Sequence, residues 1–475
     1  MAGTEWPGGD PFLQRQNEPS IAVSTRNPLH LLAGANDYRT VDIPGLENIK
    51  VIGDAWLGIF RSYDGGNTWT STLLPGYPQD TSQAGMVSPL KGYPAGADPV
   101  MRAGANGLFY LAGITLSRDE NPLGAFFVAR YLDHNDKESS HLVTEEAHSI
   151  RYVDTKIIQK GTSGQFNDKP WLAVDIPRAG AAPCTVDGQT IDGGNVYAAW
   201  TVLVGGDENI RSRLMATRST DCGATWQKPI YLSETHAISQ GASIAIDPRN
   251  GNVYVVWRRI RNDKGETDAL LFAKSTDFGK TFSQAQLIRE ITPFEQGTHE
   301  LAFRTTMFPS MAVDGDGKIH IVWSERNAEW RGRIALITST DGATWSQPVF
   351  VANEGLGHQF MPTINFAHGK LTLAWYDQTE DHTRGIYDPI LDGDKHTGQY
   401  TELRQPMGHL AQGKSQEVFR NFIIEYGETQ PPLRRHTLDV YVAQADPSLM
   451  TTPQFQSHRA SRYYFGSRPY PNEDT

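Results

Sequence analysis

One nine-residue pattern occurs three times in this chain, and a shortened copy occurs once. In each copy the Asp side chain can accept hydrogen bonds from backbone N–H groups just ahead of it, the Gly permits a positive φ, and the final aromatic residue can pack onto a sheet. The pattern therefore predicts a hairpin turn between two strands, tighter in the shortened copy. The copies read RSYDGGNTW at 61–69, RSTDCGATW at 218–226, KSTDFGKTF at 274–282 and TSTDGATW at 338–345.

A second repeat lies upstream of these turns: an apolar strand, a short turn, and a strand that usually ends in Trp. Looser copies at 19–37 and 98–114 bring the count to six units. About four strands per unit and an aromatic signature are typical of a β-propeller blade. The clear copies are GASIAIDPRNGNVYVVW (241–257), PSMAVDGDGKIHIVW (309–323), PTINFAHGKLTLAW (362–375) and, with an inserted loop, the stretch from PWLAVD to GGNVYAAW (170–200).

The two repeats together predict an all-β protein, a six-bladed β-propeller with four-stranded antiparallel blades. The 45 Gly, 28 Pro and 10% aromatic residues fit many short strands better than long helices. We expect a single domain over 1–475, with a long insert at 378–435 in blade six. The expected blades are approximately 17–80, 93–160, 165–235, 238–292, 305–353 and 358–465.

Charge and hydropathy exclude two classes of partner. The net charge of −11 is spread along the chain, whereas nucleic-acid binding needs clustered Lys and Arg, so we expect no nucleic-acid partner. No apolar run approaches the roughly 20 residues that span a bilayer. The start MAGTEWPGGD lacks the basic and apolar regions of a signal peptide, so either the protein is cytosolic or the chain begins after a removed signal.

The repeated turns resemble the Asp boxes, or BNR repeats, of the sialidase-like superfamily, and the six units resemble the sialidase catalytic propeller. The resemblance extends from about Glu18 to about Phe455. It implies that the boxes connect the third and fourth strands of a blade, on the face opposite the active site. It also implies a secreted or periplasmic protein with a carbohydrate partner. The superfamily includes hydrolases, lyases and non-catalytic proteins, so the boxes alone assign no activity.

On this resemblance, further features fall on the rear face that carries the boxes. Cys184 would lie in the loop between the first two strands of blade three and Cys222 inside its box, and a disulfide between them is our hypothesis. Degenerate boxes are expected near Asp133 in blade two and Asp446 in blade six.

If the boxes mark the rear face, the front face carries residues just before each first strand and just after each second strand. Several carboxylates, several arginines and a tyrosine would then face one channel mouth. After the second strands come Asn36, Asp37, Tyr38, Arg39, Arg258, Arg259, Arg261, Ser324, Glu325, Arg326, Tyr376 and Asp377, and before the first strands come Asn17, Glu18, Asp98, Asn167, Asp168, Lys169, Gln240, Arg304, His358 and Gln359.

The resemblance suggests roles for some of these residues, because sialidases use an arginine trio, a Tyr nucleophile activated by a Glu, and an Asp acid/base. By blade position Asp37 resembles the acid/base, and Tyr376 with Glu325 could supply the nucleophile pair. Asp377 is a further catalytic candidate, since two carboxylates flanking a bond suffice for glycoside hydrolysis. The candidate substrate-binding residues are Arg39, Asp168, Arg258, Arg304 and Arg326.

One departure from the family pattern bears on the substrate. The family opens blade one with a Tyr/Phe-Arg-Ile-Pro motif, and the aligned stretch here is QNEPSIAV, with Asn17 in place of the arginine and Glu18 beside it. This change weakens a carboxylate clamp. The leading hypothesis is therefore a glycoside hydrolase whose sugar stays open. A non-catalytic glycan- or protein-binding propeller and a uronic-acid polysaccharide lyase are the alternatives.

The insert after Tyr376 should lie on the front face, as a wall of the site, a lid or an oligomer contact, and Glu425 and Tyr426 are alternative catalytic residues there. The 14 histidines show no zinc-type spacing and no phosphate-cradling Gly-rich loop occurs. We expect no catalytic metal and no cofactor, while a structural calcium ion would leave no motif. The oligomeric state stays open.

Overall fold

The computed structural model contains six four-stranded antiparallel sheets arranged as a six-bladed β-propeller. The predicted fold class is thus confirmed. In every blade the strand order in the sheet follows the order in the chain, from the first strand to the fourth. The structure describes residues 16–38, 55–117, 124–137, 147–162, 164–205, 210–233, 237–261, 265–294, 305–328, 331–352, 358–379, 383–392, 395–402, 423–426, 438–448 and 453–461.

Blades one to three fill the N-terminal half of the chain. A short helix, α1, joins blades one and two, a 3-10 turn at Ala105–Gly107 joins the first two strands of blade two, and a two-stranded hairpin interrupts blade three. The strands are β1 (Gln16–Val23), β2 (Leu31–Asp37), β3 (Trp56–Ser62) and β4 (Thr70–Leu73), then α1 (Gln83–Val87), β5 (Ala95–Ala103), β6 (Leu108–Leu116), β7 (Ala125–Asp133) and β8 (Ile150–Lys160), then β9 (Gln165–Val174), the hairpin β10 (Cys184–Val186) and β11 (Gln189–Ile191), β12 (Val196–Val204), β13 (Arg211–Ser219) and β14 (Ile230–Tyr231).

Blades four to six follow, and blade six contains the inserted segment as a separate three-stranded sheet. The outer strand of blade six precedes the C-terminal stretch ASRYYFGSRPY in the chain. The N-terminal strand β1 belongs to blade one and is its first strand. The strands are β15 (Ile238–Ile246), β16 (Val253–Ile260), β17 (Ala269–Ser275), β18 (Gln286–Glu290), β19 (Ser310–Val313), β20 (Ile319–Arg326), β21 (Gly332–Ser339), β22 (Val349–Phe350), β23 (Gln359–Ala367), β24 (Lys370–Asp377), the insert β25 (Thr383–Asp392), β26 (Lys395–Glu402) and β27 (Ile423–Tyr426), and then β28 (Asp439–Ala445) and β29 (Gln456–Arg459).

The second strand of each blade shows why the sequence repeats apolar runs that end in Trp. In β16, Val253, Val255 and Trp257 pack against blade three, whereas Tyr254 and Val256 pack against blade five. Because successive side chains of a strand point to opposite faces, a sheet between two neighbours must be apolar on both. Five such clusters fill the interfaces between consecutive blades from one to six.

The box turns have the hydrogen bonds that the sequence predicted. In blade three, Thr225 donates its backbone N–H to Asp221 Oδ1 (2.9 Å) and its hydroxyl to Asp221 Oδ2 (2.6 Å). Ser219 Oγ donates to Asp221 Oδ1 at 2.7 Å and accepts from the N–H of Gly223 at 2.9 Å. Gly223 has φ 78°, and a Cβ there would lie 2.9 Å from the ring of Tyr110 in blade two. The glycine therefore serves both the turn and the contact between blades.

A cation on the third strand of a blade also holds the box turn of the next blade. Arg130 Nη1 donates to the carbonyl of Cys222 (2.9 Å) and Arg218 Nη1 to the carbonyl of Phe278 (2.6 Å). Lys274 Nζ donates to the carbonyl of Asp341 (3.0 Å). The rear face is therefore tied together by a series of hydrogen bonds from charged donors, running from blade two to blade five.

The degenerate boxes lie where they were expected, between third and fourth strands. Asp446 follows β28 and accepts from the N–H and hydroxyl of Ser448 (3.0 and 2.6 Å). These two bonds correspond to those between Asp and Thr in a complete box. Asp133 ends β7 and instead accepts from Ser24 Oγ of blade one (2.6 Å) and lies 3.0 Å from His30 Nδ1. In blade two Asp133 keeps one bond within its turn, from the N–H of Asn135 (2.9 Å), and adds a buried link to blade one.

Cys184 and Cys222 form a disulfide with a Cα–Cα distance of 6.1 Å, so that hypothesis is confirmed. Cys184 begins β10, in the hairpin inserted between the first two strands of blade three, and Cys222 lies in the box turn after β13. The bond ties the inserted hairpin to the rear face of its own blade.

Candidate functional site

The strand order fixes which residues meet at the front face. The box turns follow the third strands, so the starts of first strands and the ends of second strands lie at the opposite end of each blade. The paired residues Asn17 and Asn36 show this in blade one. Since the first strand is the innermost of each blade, residues near its start line the channel mouth.

Five first strands carry a β-bulge at the same place, near the front-face end of the strand. The bulged residue has a positive φ, which for a residue other than Gly costs about 1–3 kcal/mol. Such a bulge bends the strand and re-aims the side chain. The bulged residues are Glu18 (φ 52°), Asp98 (59°), Lys169 (44°), Gly241 (71°) and Met361 (52°) in blades one, two, three, four and six.

The bulges of blades one to three bring three charged side chains together, and with Asp168 these form what we call the mouth cluster. Lys169 Nζ lies 2.6 Å from Glu18 Oε1 and 3.6 Å from Asp98 Oδ1. The backbone N–H of Lys169 donates to Asp98 Oδ2 (3.2 Å) and to Asp168 Oδ1 (2.9 Å). The Asp98 side chain keeps 11% of its surface exposed, so it is enclosed and still reachable from solvent.

Amide side chains support the mouth cluster. Asn36 Nδ2 donates to Asn17 Oδ1 (2.7 Å) and to Glu18 Oε2 (3.2 Å), and Asn36 Oδ1 accepts from the N–H of Asp98 (2.8 Å). On the other side, Gln240 Nε2 donates to Asp168 Oδ2. Residues of blades one to four thus orient the carboxyl groups.

The pKa values of the Glu18 and Asp98 carboxyl groups are shifted in opposite directions. Burial raises the pKa of Asp98 well above its usual range, the hydrogen bond and charge of Glu18 raise it further, and Lys169 opposes them. Burial also acts to raise the pKa of Glu18, but the hydrogen bond from Asp98 and the charge of Lys169 lower it to about 2. The shared hydrogen bond and Lys169 thus favour the proton on Asp98 and the charge on Glu18. Two carboxyl groups with separated pKa values are typical of acid/base sites.

The aspartates expected to be catalytic are buried at strand ends. Asp377 accepts from Trp375 Nε1 (2.8 Å), Gln359 Nε2 (3.1 Å), the N–H of Thr379 (2.7 Å) and the Thr379 hydroxyl. These bonds engage both of its oxygens within blade six. Asp37 ends β2 and is buried, in register with Trp56 of β3.

The expected nucleophile pair lies at the ends of β20 and β24. Glu325 is buried and accepts from the N–H of Thr292 (3.1 Å), and burial raises its pKa. Tyr376 is half-buried, with its ring centroid 6.0 Å from that of Phe360. No hydrogen bond among the described residues joins Glu325 to Tyr376, and their pairing stays a prediction.

Of the expected anion-binding arginines, the structure describes Arg258 and Arg326, and Arg258 is engaged away from the mouth cluster. Arg258 is 1% exposed and donates from Nη2 and Nε to Asp268 Oδ1 (2.6 and 3.0 Å) and from Nη1 to the carbonyl of Met307 (3.3 Å). It links blades four and five. Arg326 ends β20 and is half-buried. Arg39 and Arg304 lie outside the described residues, as do the side chains of the alternative candidates Glu425 and Tyr426 in β27.

Asp168 is the one residue chosen from the sequence that lies in the mouth cluster. Glu18, Asp98 and Lys169 were expected at the front face but were given no role. The signal that could have selected them is the Pro after each of the three, Pro19, Pro99 and Pro170, which marks the bulge in the first-strand repeat.

The described part of the chain shows neither a candidate metal site nor a candidate membrane-spanning helix. Among the described residues, no three His, Cys, Asp or Glu side chains are grouped so that they could hold a metal ion. Within those residues there is also no helix with the length and apolar character needed to cross a bilayer.

No protein-family model and no curated protein matches this chain. Solved structures do match it at low identity. An α-L-arabinanase from Penicillium chrysogenum complexed with arabinobiose is 13% identical, with TM-score 0.43, covering 76% of this chain and 89% of that one. An α-L-arabinofuranosidase from Fusarium graminearum is 14% identical (TM-score 0.42; 82% and 93% covered), and a sialidase from Trypanosoma rangeli is 14% identical (TM-score 0.40; 76% and 52% covered). These similarities are too weak to assign an activity or a residue.

Proposed function

We propose that this protein is a glycoside hydrolase that cleaves glycans at the front mouth of its propeller channel. The observation that carries the proposal is the cluster of Asp98 and Glu18 around Lys169 at a reachable point of that mouth, where the pKa of Asp98 is raised and that of Glu18 is lowered. The disulfide between Cys184 and Cys222 supports a secreted or periplasmic protein, because such bonds persist in oxidising compartments.

Asp98 is assigned as the general acid. It donates its proton to the oxygen of the glycosidic bond as the bond to the anomeric carbon breaks, and a water molecule finally supplies the hydroxyl group at that carbon and returns a proton. Glu18 is not assigned as the second catalytic carboxylate, because it is hydrogen-bonded directly to Asp98 and no glycosidic bond can lie between the two groups. Its role is to hold the proton on Asp98.

The second carboxylate is assigned to Asp168, which lies in the same cluster on the next blade. Gln240 and the backbone of Lys169 orient it. Glu325, on blade five, is the alternative. Comparing Asp168→Asn with Glu325→Gln separates the two, because the residue that acts as base or nucleophile should give the larger loss of kcat.

A binding propeller without catalysis is the second candidate. It is favoured by the fact that the carboxyl groups of Glu18, Asp98 and Asp168 all have partners within the protein. A site of this kind could recognise a glycan through the same atoms and release no product.

The first test is a mass-spectrometric product screen with pooled neutral, uronic-acid and sialylated oligosaccharides. We expect a product that has gained one water, and we expect Asp98→Asn to lower the rate by about 10²–10⁴-fold, the usual contribution of a general acid. The matched control is Asp316→Asn in the hairpin turn between β19 and β20, on the rear face, which should keep the full rate. An unsaturated product would indicate a lyase, and no product from any pool would favour the binding propeller.

The pH dependence gives an independent test. Glu18 raises the pKa of Asp98 and Lys169 lowers it. Because the acid must be protonated, kcat/KM falls as the pH rises through the pKa of Asp98. In a plot of kcat/KM against pH, Glu18→Gln should therefore move this alkaline decrease, the alkaline limb, to lower pH, and Lys169→Met should move it to higher pH. Limbs that shift in the same direction, or not at all, would contradict the assignment of Asp98.

A further inference from the structure

The charge around Asp98 indicates which sugars the mouth can accept. The mouth cluster combines three carboxyl groups, Glu18, Asp98 and Asp168, with Lys169. Lys169 is already engaged by two of these groups, and the surrounding side chains Asn17, Asn36 and Gln240 are neutral amides. A ligand placed here meets ionised oxygens and amides that suit hydroxyl groups as hydrogen-bond partners.

A substrate carboxylate would need a cation, and arginine is best suited because its planar fork can donate two parallel bonds. Arg258, the arginine of blade four expected to bind an anion, is buried and bonded to Asp268 and to the carbonyl of Met307. Blade one has Asn17, whose amide oxygen already accepts from Asn36. Neither position offers an available cation to a ligand.

We infer that the mouth selects a sugar ring without a carboxylate and rejects sialic and uronic acids. This inference rests on the proposed function and adds the class of substrate. A carboxylate at the mouth cluster would lie next to the carboxyl groups of Glu18 and Asp168, and like charges so close repel each other strongly where water is partly excluded. Neutral hydroxyl groups would instead donate to these oxygens and accept from the amides.

The test compares matched p-nitrophenyl glycosides that differ only at C6: α- and β-galactosides against galacturonides, and α- and β-glucosides against glucuronides. We expect kcat/KM for the neutral member of a cleaved pair to exceed that for the acidic member by at least about tenfold. Glu18→Gln should narrow this ratio, because it removes a negative charge and frees Lys169 to face the substrate. Asp316→Asn, on the rear face, should leave the ratio unchanged.

An acidic member cleaved as fast as its neutral partner, or a ratio that Glu18→Gln does not change, would overturn the inference. If the wild type cleaves none of the glycosides and the pooled oligosaccharides also give no product, hydrolysis fails and selectivity is measured as binding. Calorimetry with the neutral and acidic oligosaccharide pools then decides. Binding of neutral pools alone would support the inference without catalysis, whereas binding of acidic pools, or of none, would overturn it.

Discussion

The disulfide between Cys184 and Cys222 should contribute a large part of the stability of blade three. The two residues are separated by 38 positions, and cross-linking a loop of this length restricts the unfolded chain enough to stabilise the fold by about 4 kcal/mol. Reduction, or replacement of both cysteines, should therefore lower the free energy of unfolding by up to that amount.

The conformation of Cys222 allows the cross-link to be separated from backbone strain. Its φ is 54°, and Gly65 has φ 72° at the same position of the first box. The variant Cys184→Ala/Cys222→Gly should lose the cross-link and also the strain of a side chain at positive φ. The variant Cys184→Ala/Cys222→Ala keeps a side chain in the left-handed region and should be less stable than the Gly variant by about 1–2 kcal/mol.

The assay is guanidinium unfolding of wild type and both variants, followed by tryptophan fluorescence with and without a reductant. Hydrogen exchange at the same time should show the loss of protection concentrated in β10, β11 and the box turn of blade three. The reasoning would be refuted if the reduced wild type and the Gly variant unfolded at the same denaturant concentration as the oxidised protein, or if protection fell equally in all blades.

Two further predictions concern the rear face. Arg218→Ala should destabilise the fold by about 1–3 kcal/mol, because it removes the charged donor to the carbonyl of Phe278 in the next blade. Arg213→Ala on the same strand should cost less than about 1 kcal/mol in the same unfolding assay. Backbone and side-chain donors lower the pKa of Asp277 from 3.8 to about 2. The stability that the ionised Asp277 contributes should be complete above about pH 4 and lost as the pH falls towards 2. In a pH series of unfolding midpoints, Asp277→Asn should lack this pH-dependent contribution.

The fold could be predicted from the sequence because its signals are local. Ser219, Asp221 and Gly223 bond within one turn, so their spacing alone specifies the hairpin. The apolar run ending at Trp257 specifies a strand with neighbours on both faces. Six repetitions of the strand signal and four of the turn signal leave few architectures other than a propeller.

The roles of the front-face residues could not be predicted in the same way, because each depends on partners from other elements. Arg258 seemed suited to bind an anion, but Asp268 from the next strand neutralises it. Trp375 and Gln359 engage Asp377. Position at a strand end is visible in the sequence, whereas the partner that occupies a charged group becomes visible only in the folded protein.

The bulge in the first strands explains how one repeated backbone can carry different chemistry. Each blade that has the bulge places one residue with a left-handed backbone conformation at the channel mouth, and that residue differs from blade to blade. Glu18, Asp98 and Lys169 place charge on blades one to three, while Gly241 and Met361 place none on blades four and six. The strain is thus a property of the fold, since it occurs with and without a charged residue. Under the proposed function, the chemistry depends on which blades receive the carboxyl groups. The reacting bond of a substrate should then lie over blades one to three, and the rest of the ligand should contact blades four and six.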